Sequence, residues 1–396
     1  MVEIATLVTF LVAAVASLFM AWAIGAGSSG STPFAPAVGA NAISVMRAGF
    51  FVGILGFAGA VLQGANVSET MGGDLIDGVT LSPSAATIAL IIAAVLVAIG
   101  VFSGYPIATA FTATGAVIGA GLAMGGDPAW GTYTEIAAMW ILTPFVGVFF
   151  AYVIARALRD EPVPERYVMI GLAGIVGLLV ANIEFAVLGP PDGGASLAET
   201  AGGVLPVSRA VGIVLGTLGM ILLWTVPTAL AVRNDPERAQ RRFLLVMGGL
   251  VAFSAGGSQV GLAIGPLIPL SDDVGLPLIA LLLGGGVGLL IGSWTGAPRM
   301  IKAISQDYSS LGPRRSIAAL IPSFAIAQAA VLFGIPVSFN EIIVSSIIGS
   351  GYAASGAGGG VSASKMAYTV LAWTLSLAGS ILVAFTGYTA FAWLFL

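Results

Sequence analysis

Four short stretches of this 396-residue chain place hydroxyls, amides and one carboxyl inside long apolar runs. They are residues 25–32 (GAGSSGST), 106–112 (PIATAFT), 256–259 (GGSQ) and 336–341 (PVSFNE). Glycine frees the backbone and proline opens a helix at its first turn, so these stretches predict broken helices with unpaired N–H groups. Such an end binds an anion without a basic side chain, and nearby hydroxyls and amides supply further neutral donors. The chemistry this suits is binding and release of a small oxyanion, with no bond made. Any one stretch taken alone also fits close helix packing through Gly and Ser. Thr109 and Thr114 also fit bonds back to their own helix carbonyls.

Glu341 stands apart. It follows Ser338 by three residues on the same helix face, with no basic residue within twenty positions. A carboxyl in a membrane segment is a functional candidate, because a bare charge there is costly and calls for a proton or a cation. The alternative is a protonated, hydrogen-bonded Glu near the outer interface. Glu184 fits an interface position equally well, and Glu69 fits a solvated loop entry. There are no Cys and no His. Thiolate nucleophiles, Cys/His metal centres and imidazole acid–base chemistry are therefore excluded. One buried carboxyl without a nucleophile–base pair does not make an enzyme, so none is expected.

The elements that must position these groups follow from hydropathy. Hydrophobic residues make up 58% of the chain, charged residues only 8%, and mean hydropathy is +1.04. These values exclude a soluble enzyme, a disordered chain and a nucleic-acid binder. Twelve apolar segments lie roughly at 4–24, 43–64, 84–103, 106–124, 134–158, 167–187, 207–231, 242–265, 275–293, 316–334, 336–353 and 366–395. Most reach the length that crosses a bilayer as a helix. The fourth, ninth and eleventh are short or Gly-rich and read as half-helices or re-entrant hairpins. The fold class is thus an all-α polytopic membrane protein with about twelve membrane segments.

Twelve of the 14 basic residues, from Arg47 to Arg315, are assigned to loops after odd-numbered segments. Asp74, Asp77, Asp127, Asp192, Asp272 and Asp273 are assigned to the other side, with Arg209 and Lys365 beside them. Basic loops stay cytoplasmic, which predicts both termini outside a plasma membrane. The chain also repeats itself. Residues 104–123 align with 334–353 at an offset of 230, and residues 23–36 align with 254–266. Seven crossings separate the two copies, so they lie inverted. Inverted repeats with interrupted segments at matching places mark a secondary transporter with a midplane site. The expected divisions are a first repeat over 1–160, linking segments and a basic loop over 161–243, and a second repeat over 244–396.

The paired stretches resemble the signatures of the inorganic phosphate transporter (PiT) family, a GANDVANA-type and a PVSTTH-type motif in each repeat. The first signature matches residues 25–32 and 256–263, the latter followed by Ile264, Gly265 and Pro266; the second matches 106–111 and 336–341. Residues 64–70 (GANVSET) and 296–304 (GAPRMIKAI) resemble segments that follow the first signatures. The signature Asp positions hold Ser28 and Gln259, and the signature His positions hold Phe111 and Glu341. The resemblance implies a cation-coupled carrier for phosphate, embedded in the bilayer, commonly a homodimer, with the anion between the repeats. Sulfate is the second substrate choice, and an anion channel or a sensor of the same fold the alternative. The anion would contact Ser28, Ser29, Ser31, Thr109, Ser258 and Ser338, with amide contacts from Gln259 and Asn340. Glu341 would bind the coupling proton or Na⁺. No resident cofactor is implied beyond Na⁺ as a coupling ion.

Overall fold

The computed structural model describes residues 4–159, 163–189, 194–307, 311–353 and 363–396. Twelve principal helices carry the fold. The first six are α1 (Ile4–Gly27), α2 (Val45–Gln63), α3 (Pro83–Ser103), α4 (Thr109–Ala123), α5 (Trp130–Ala157) and α6 (Glu165–Asn182). The rest are α7 (Arg209–Asn234), α8 (Pro236–Gln259), α9 (Leu278–Thr295), α10 (Pro313–Leu332), α11 (Phe339–Tyr352) and α12 (Ala363–Phe395). Among the described residues, ten of these helices are long and apolar enough to cross a membrane. The exceptions are α4 and α11, the short fourth and eleventh segments. The ninth differs from expectation, since α9 is one continuous 18-residue helix. Its glycines serve packing instead: a Cβ on Gly292 would strike the Trp22 carbonyl of α1.

The helices α4 and α11 have 15 and 14 residues. At 1.5 Å per residue they span about 21–23 Å, less than the roughly 30 Å hydrocarbon core. Extended segments make up the difference. After α3 the chain turns through Gly104, and after α10 through Gly334, with φ of 77° and 65°. These left-handed turns suit glycine, which has no Cβ to clash. Residues 105–108 and 335–338 then run extended before each short helix starts. The prolines differ from expectation here. Pro106 and Pro336 sit three residues ahead of the first helical residues, Thr109 and Phe339, because both belong to the extended segments.

The arginine-bearing segments gather at one end. Arg314 pairs with Glu165 at 2.6 Å, Arg159 donates to the Ala353 carbonyl, and Arg241 to that of Ala42. Gln63, Asn66 and Tyr133 make their bonds to the Glu184, Val331 and Leu75 carbonyls at the opposite end. Two antiparallel two-residue ribbons lie outside the helices, Ile76–Asp77 with Asp127–Pro128 and Glu184–Phe185 with Ala195–Ser196. Lys365 is a correction. It follows the eleventh segment, and α12 begins at the arginine-bearing end, so Lys365 belongs with the twelve other basic residues there. Asp192 lies outside the described residues.

Small residues bring the helices close. A Cβ on Gly256 of α8 would strike the Gly56 carbonyl of α2, and one on Gly59 the Phe253 carbonyl. Two buried apolar clusters result. One centres on α8, α10 and α11, the other on α1, α3 and α4, and Trp140 and Ile335 border both. The four polar stretches lie along that border.

Candidate functional site

The polar stretches converge. The helix α1 ends at Gly27 and α8 at Gln259, so the two Gly stretches present helix C-termini to the centre. The two Pro stretches present N-termini, those of α4 and α11, and no side chain caps either one. Free N–H groups and the positive ends of two helix dipoles therefore face the middle from opposite ends of the molecule. The Gly stretches were expected to share that role; they supply carbonyls instead.

Side chains tie the four ends together. Thr109 donates to Gln259 Oε1 at 2.8 Å and to Ser28 Oγ at 3.2 Å, and Ser28 Oγ lies 3.3 Å from Gln259 Oε1. Gln259 Nε2 donates to the Val337 carbonyl at 2.6 Å. Asn340 Nδ2 donates to the carbonyls of Gly27 at 3.0 Å and Ile107 at 2.6 Å. Each extended segment thus gives its second-to-last carbonyl to a side-chain amide of the second half of the chain, Ile107 to Asn340 and Val337 to Gln259. Ser28, Thr109, Gln259 and Asn340 all have 0% of their surface exposed. Thr109 does not bond back to its own helix, and Thr114 turns to the Met71 sulfur.

The remaining expected residues divide into two groups. Ser31 donates to the Ser28 carbonyl and Ser258 faces the Ala255 carbonyl, so both hydroxyls serve their own turns; Ser29 is buried beside them. By contrast Ser338 Oγ, Asn340 Oδ1 and Glu341 Oε2 are buried without a hydrogen-bond partner. So are Thr143 Oγ1 on α5 and Ser346 Oγ on α11. Unpaired buried polar atoms are uncommon and costly, and here they cluster around the N-terminal half of α11. Among the described residues Glu341 is the one buried carboxyl. Glu69 and Glu184 are exposed, but Glu69 lies within the short helix Ala65–Gly73 rather than at a loop entry.

Several site residues escaped the reading of the sequence. Trp140 Nε1 donates to the Pro336 carbonyl at 2.7 Å, and Trp373 Nε1 to the Pro106 carbonyl at 2.8 Å. A tryptophan from each half of the chain therefore holds the extended segment of the other half. Trp140 also stacks on Phe111, with ring centroids 3.9 Å apart. A signal was present in the repeated W-x-L-(T/S), as Trp140 to Thr143 and Trp373 to Ser376. Gln328 bonds to Gln63 and Ser254, one turn of α8 before Ser258. Two clefts open elsewhere on the molecule. One of about 920 Å³ is lined by Gln63, Asn66, Glu69, Glu184 and Gln328, the other of about 790 Å³ by Arg159, Arg314, Arg315, Gln240 and Ser350.

An all-helical membrane body with a buried centre of hydroxyls, amides and one carboxyl is the arrangement of a membrane transport protein. The family profile described as "Phosphate transporter family" matches residues 24–384. A "putative phosphate permease" of Pyrococcus abyssi is 30% identical over 374 residues, covering 87% of this chain and 88% of the relative. The chloroplastic inorganic phosphate transporter 2-1 of Arabidopsis thaliana is 24% identical over 390 residues, covering 85% of this chain and 64% of that protein. A solved structure titled "The sodium-dependent phosphate transporter" superposes with a TM-score of 0.82 at 21% identity, over 98% of this chain and 100% of that one, and so shares the fold. The chain belongs to the phosphate transporter family.

Proposed function

We propose that the chain is a secondary active carrier of inorganic phosphate, coupled to a cation gradient across a plasma membrane. The observation that carries this reading is the meeting of two uncapped helix N-termini, from opposite ends, at a cluster of hydroxyls and amides. An anion there is held by backbone N–H groups and by Thr109, Ser28, Ser338, Gln259 and Asn340. Ser29, Ser31 and Ser258 shape the turns that position them. Glu341, buried and unpaired, is the site of the coupling proton or Na⁺, with Ser338 and Asn340 or freed carbonyls completing an oxygen shell around a cation. The two copies, residues 1–160 and 244–396, act as inverted repeats joined by 161–243, and the carrier works as a homodimer with both termini outside.

Uptake into proteoliposomes tests the reading. Phosphate should accumulate against its gradient when an inward Na⁺ or proton gradient is imposed, and collapse of that gradient should stop it. An anion panel that favours sulfate would reassign the substrate within the same site. Equilibration without accumulation would indicate a channel, and binding without flux a sensor.

A further inference from the structure

Two seams hold the short helices against long neighbours, α11 against α5 and α4 against α12, and they are built alike. In each, a tryptophan of the long helix donates to the proline carbonyl ahead of the short one, Trp140 to Pro336 and Trp373 to Pro106. Two turns further on, glycine meets serine. A Cβ on Gly147 of α5 would lie 2.6 Å from Ser345 Oγ, and one on Gly115 of α4 would strike Ser380 Oγ. Both seams therefore run in the same register, with long and short helix pointing the same way.

The residues inside the two seams differ. Ser376 and Ser380 of α12 donate to the carbonyls of Trp373 and Leu377 in their own helix. The α5–α11 seam replaces Ser376 by Thr143, Leu377 by Pro144, and Ala116 of α4 by Ser346. Thr143 Oγ1 and Ser346 Oγ are without a partner, in residues 2% and 0% exposed. Both forgo the bond to a carbonyl one turn back that Ser345 and Ser350 make. Pro144 has no N–H, so the Trp140 carbonyl lacks its usual helix donor. The shared backbone of the seams does not create these unpaired groups. Three changes of residue type, all in one seam, do.

The groups are also close in the register. Thr143 stands one turn before Gly147, and a Cβ on Gly147 would lie 3.1 Å from Ser346 Oγ. Gly147, with no side chain, lets both serine hydroxyls reach the α5 backbone. Ser345 Oγ commits its proton to the Ile342 carbonyl and the Trp140 carbonyl has none, so both oxygens can only accept or coordinate. One water has two protons to give and leaves part of a four-oxygen set unmet. A small monovalent cation takes all four at once, with carbonyl and hydroxyl oxygens in place of its own water.

We propose that Thr143, Ser345, Ser346 and the Trp140 carbonyl form an uncharged site for Na⁺ that does not use the Glu341 carboxyl. Ser346 lies about 12 Å along α11 from Ser338, so the ion adds positive charge within reach of the central cluster. For that role, drawing an anion to the centre, the inference rests on the phosphate reading; the site itself rests on the seam.

The test is equilibrium binding of radiolabelled Na⁺ to the purified full chain in nanodiscs, in choline buffer without phosphate. Glu341→Gln should keep a saturable component. Adding Thr143→Val and Ser346→Ala should raise its half-saturating Na⁺ concentration about tenfold or more, the effect of losing oxygens that contact a charge. Adding Thr143→Ser instead should change it little. Thr143→Val keeps the shape and removes an unpaired hydroxyl, so melting temperature without Na⁺ should not fall, while the rise that Na⁺ gives the parent should shrink. Should the combined variant not fold, Thr143→Val against Thr143→Ser decides alone. Absence of a saturable component in Glu341→Gln overturns the proposal, by leaving the seam a water or nothing. Equal Na⁺ affinity with and without the two hydroxyls overturns it as well. Hydroxyl-dependent Na⁺ binding in a parent protein that accumulates no phosphate would sink the proposed function and leave this site standing.

Discussion

A carboxyl that is 2% exposed, with an oxygen lacking any partner, is stable only when something neutralises it. At Glu341 that requirement becomes a prediction. Glu341→Gln keeps the shape and removes the group that binds a proton or Na⁺. Gradient-driven accumulation of phosphate should fail, while phosphate exchange at equilibrium survives. Accumulation equal to the parent across pH and Na⁺ would reduce Glu341 to a packing residue. Residue types alone pointed to Glu341, Ser338 and the Ser28–Gln259 pair, because each breaks an apolar run. They did not tell which hydroxyls would face inward. Ser31 and Ser258 turn onto carbonyls three residues back, a choice set by local backbone, whereas Thr109 turns across to α8, a choice set by packing.

Single helices were legible from hydropathy and length, whereas the left-handed turns at Gly104 and Gly334 came only with the backbone. The tryptophan contacts were not legible either, since they join residues about 200 and 270 positions apart. Their removal is informative. Trp140→Phe keeps the stack on Phe111 and leaves the Pro336 carbonyl unpaired; Trp373→Phe does the same to Pro106. Each should cost roughly 1–3 kcal/mol and loosen one extended segment. The double variant should show faster hydrogen exchange at 105–108 and 335–338 and weaker phosphate binding. Unchanged exchange at both segments would mean that the amides of Gln259 and Asn340 suffice. A second element prediction concerns the short helix Leu197–Val204, whose Ser196 and Glu199 form a reciprocal cap. The Ser196 backbone N–H, and after it Arg209, hold the Glu199 carboxyl below its ordinary range. A depressed carboxylate contributes stability above its unfolded pKa and loses it as pH falls through the folded value. Exchange in this helix should therefore rise on acidification below about pH 4, and Glu199→Gln should remove most of that dependence. A flat profile in the parent would show that the cap is not holding the helix.

Across the whole molecule, charge and connectivity place the arginine-bearing loops together, and the same alternation puts both termini at the other end. Single cysteines should report this without interference, because the chain has none of its own. A Cys at 237 should be protected from an impermeant outside reagent, and one near the C-terminus labelled; the reverse pattern would invert the orientation. The crosswise tryptophans carry a further consequence, in the currency of heredity. If the two copies descend from one duplicated ancestor, that ancestor already held its partner subunit's extended segment across an interface, and fusion turned an assembly contact into an internal one. Neither tryptophan now closes the segment of its own half. A gene cut between 189 and 194 should yield two fragments that are degraded when made singly and recover transport when made together, and Trp140→Phe in one fragment should weaken that recovery through a proline that resides in the other.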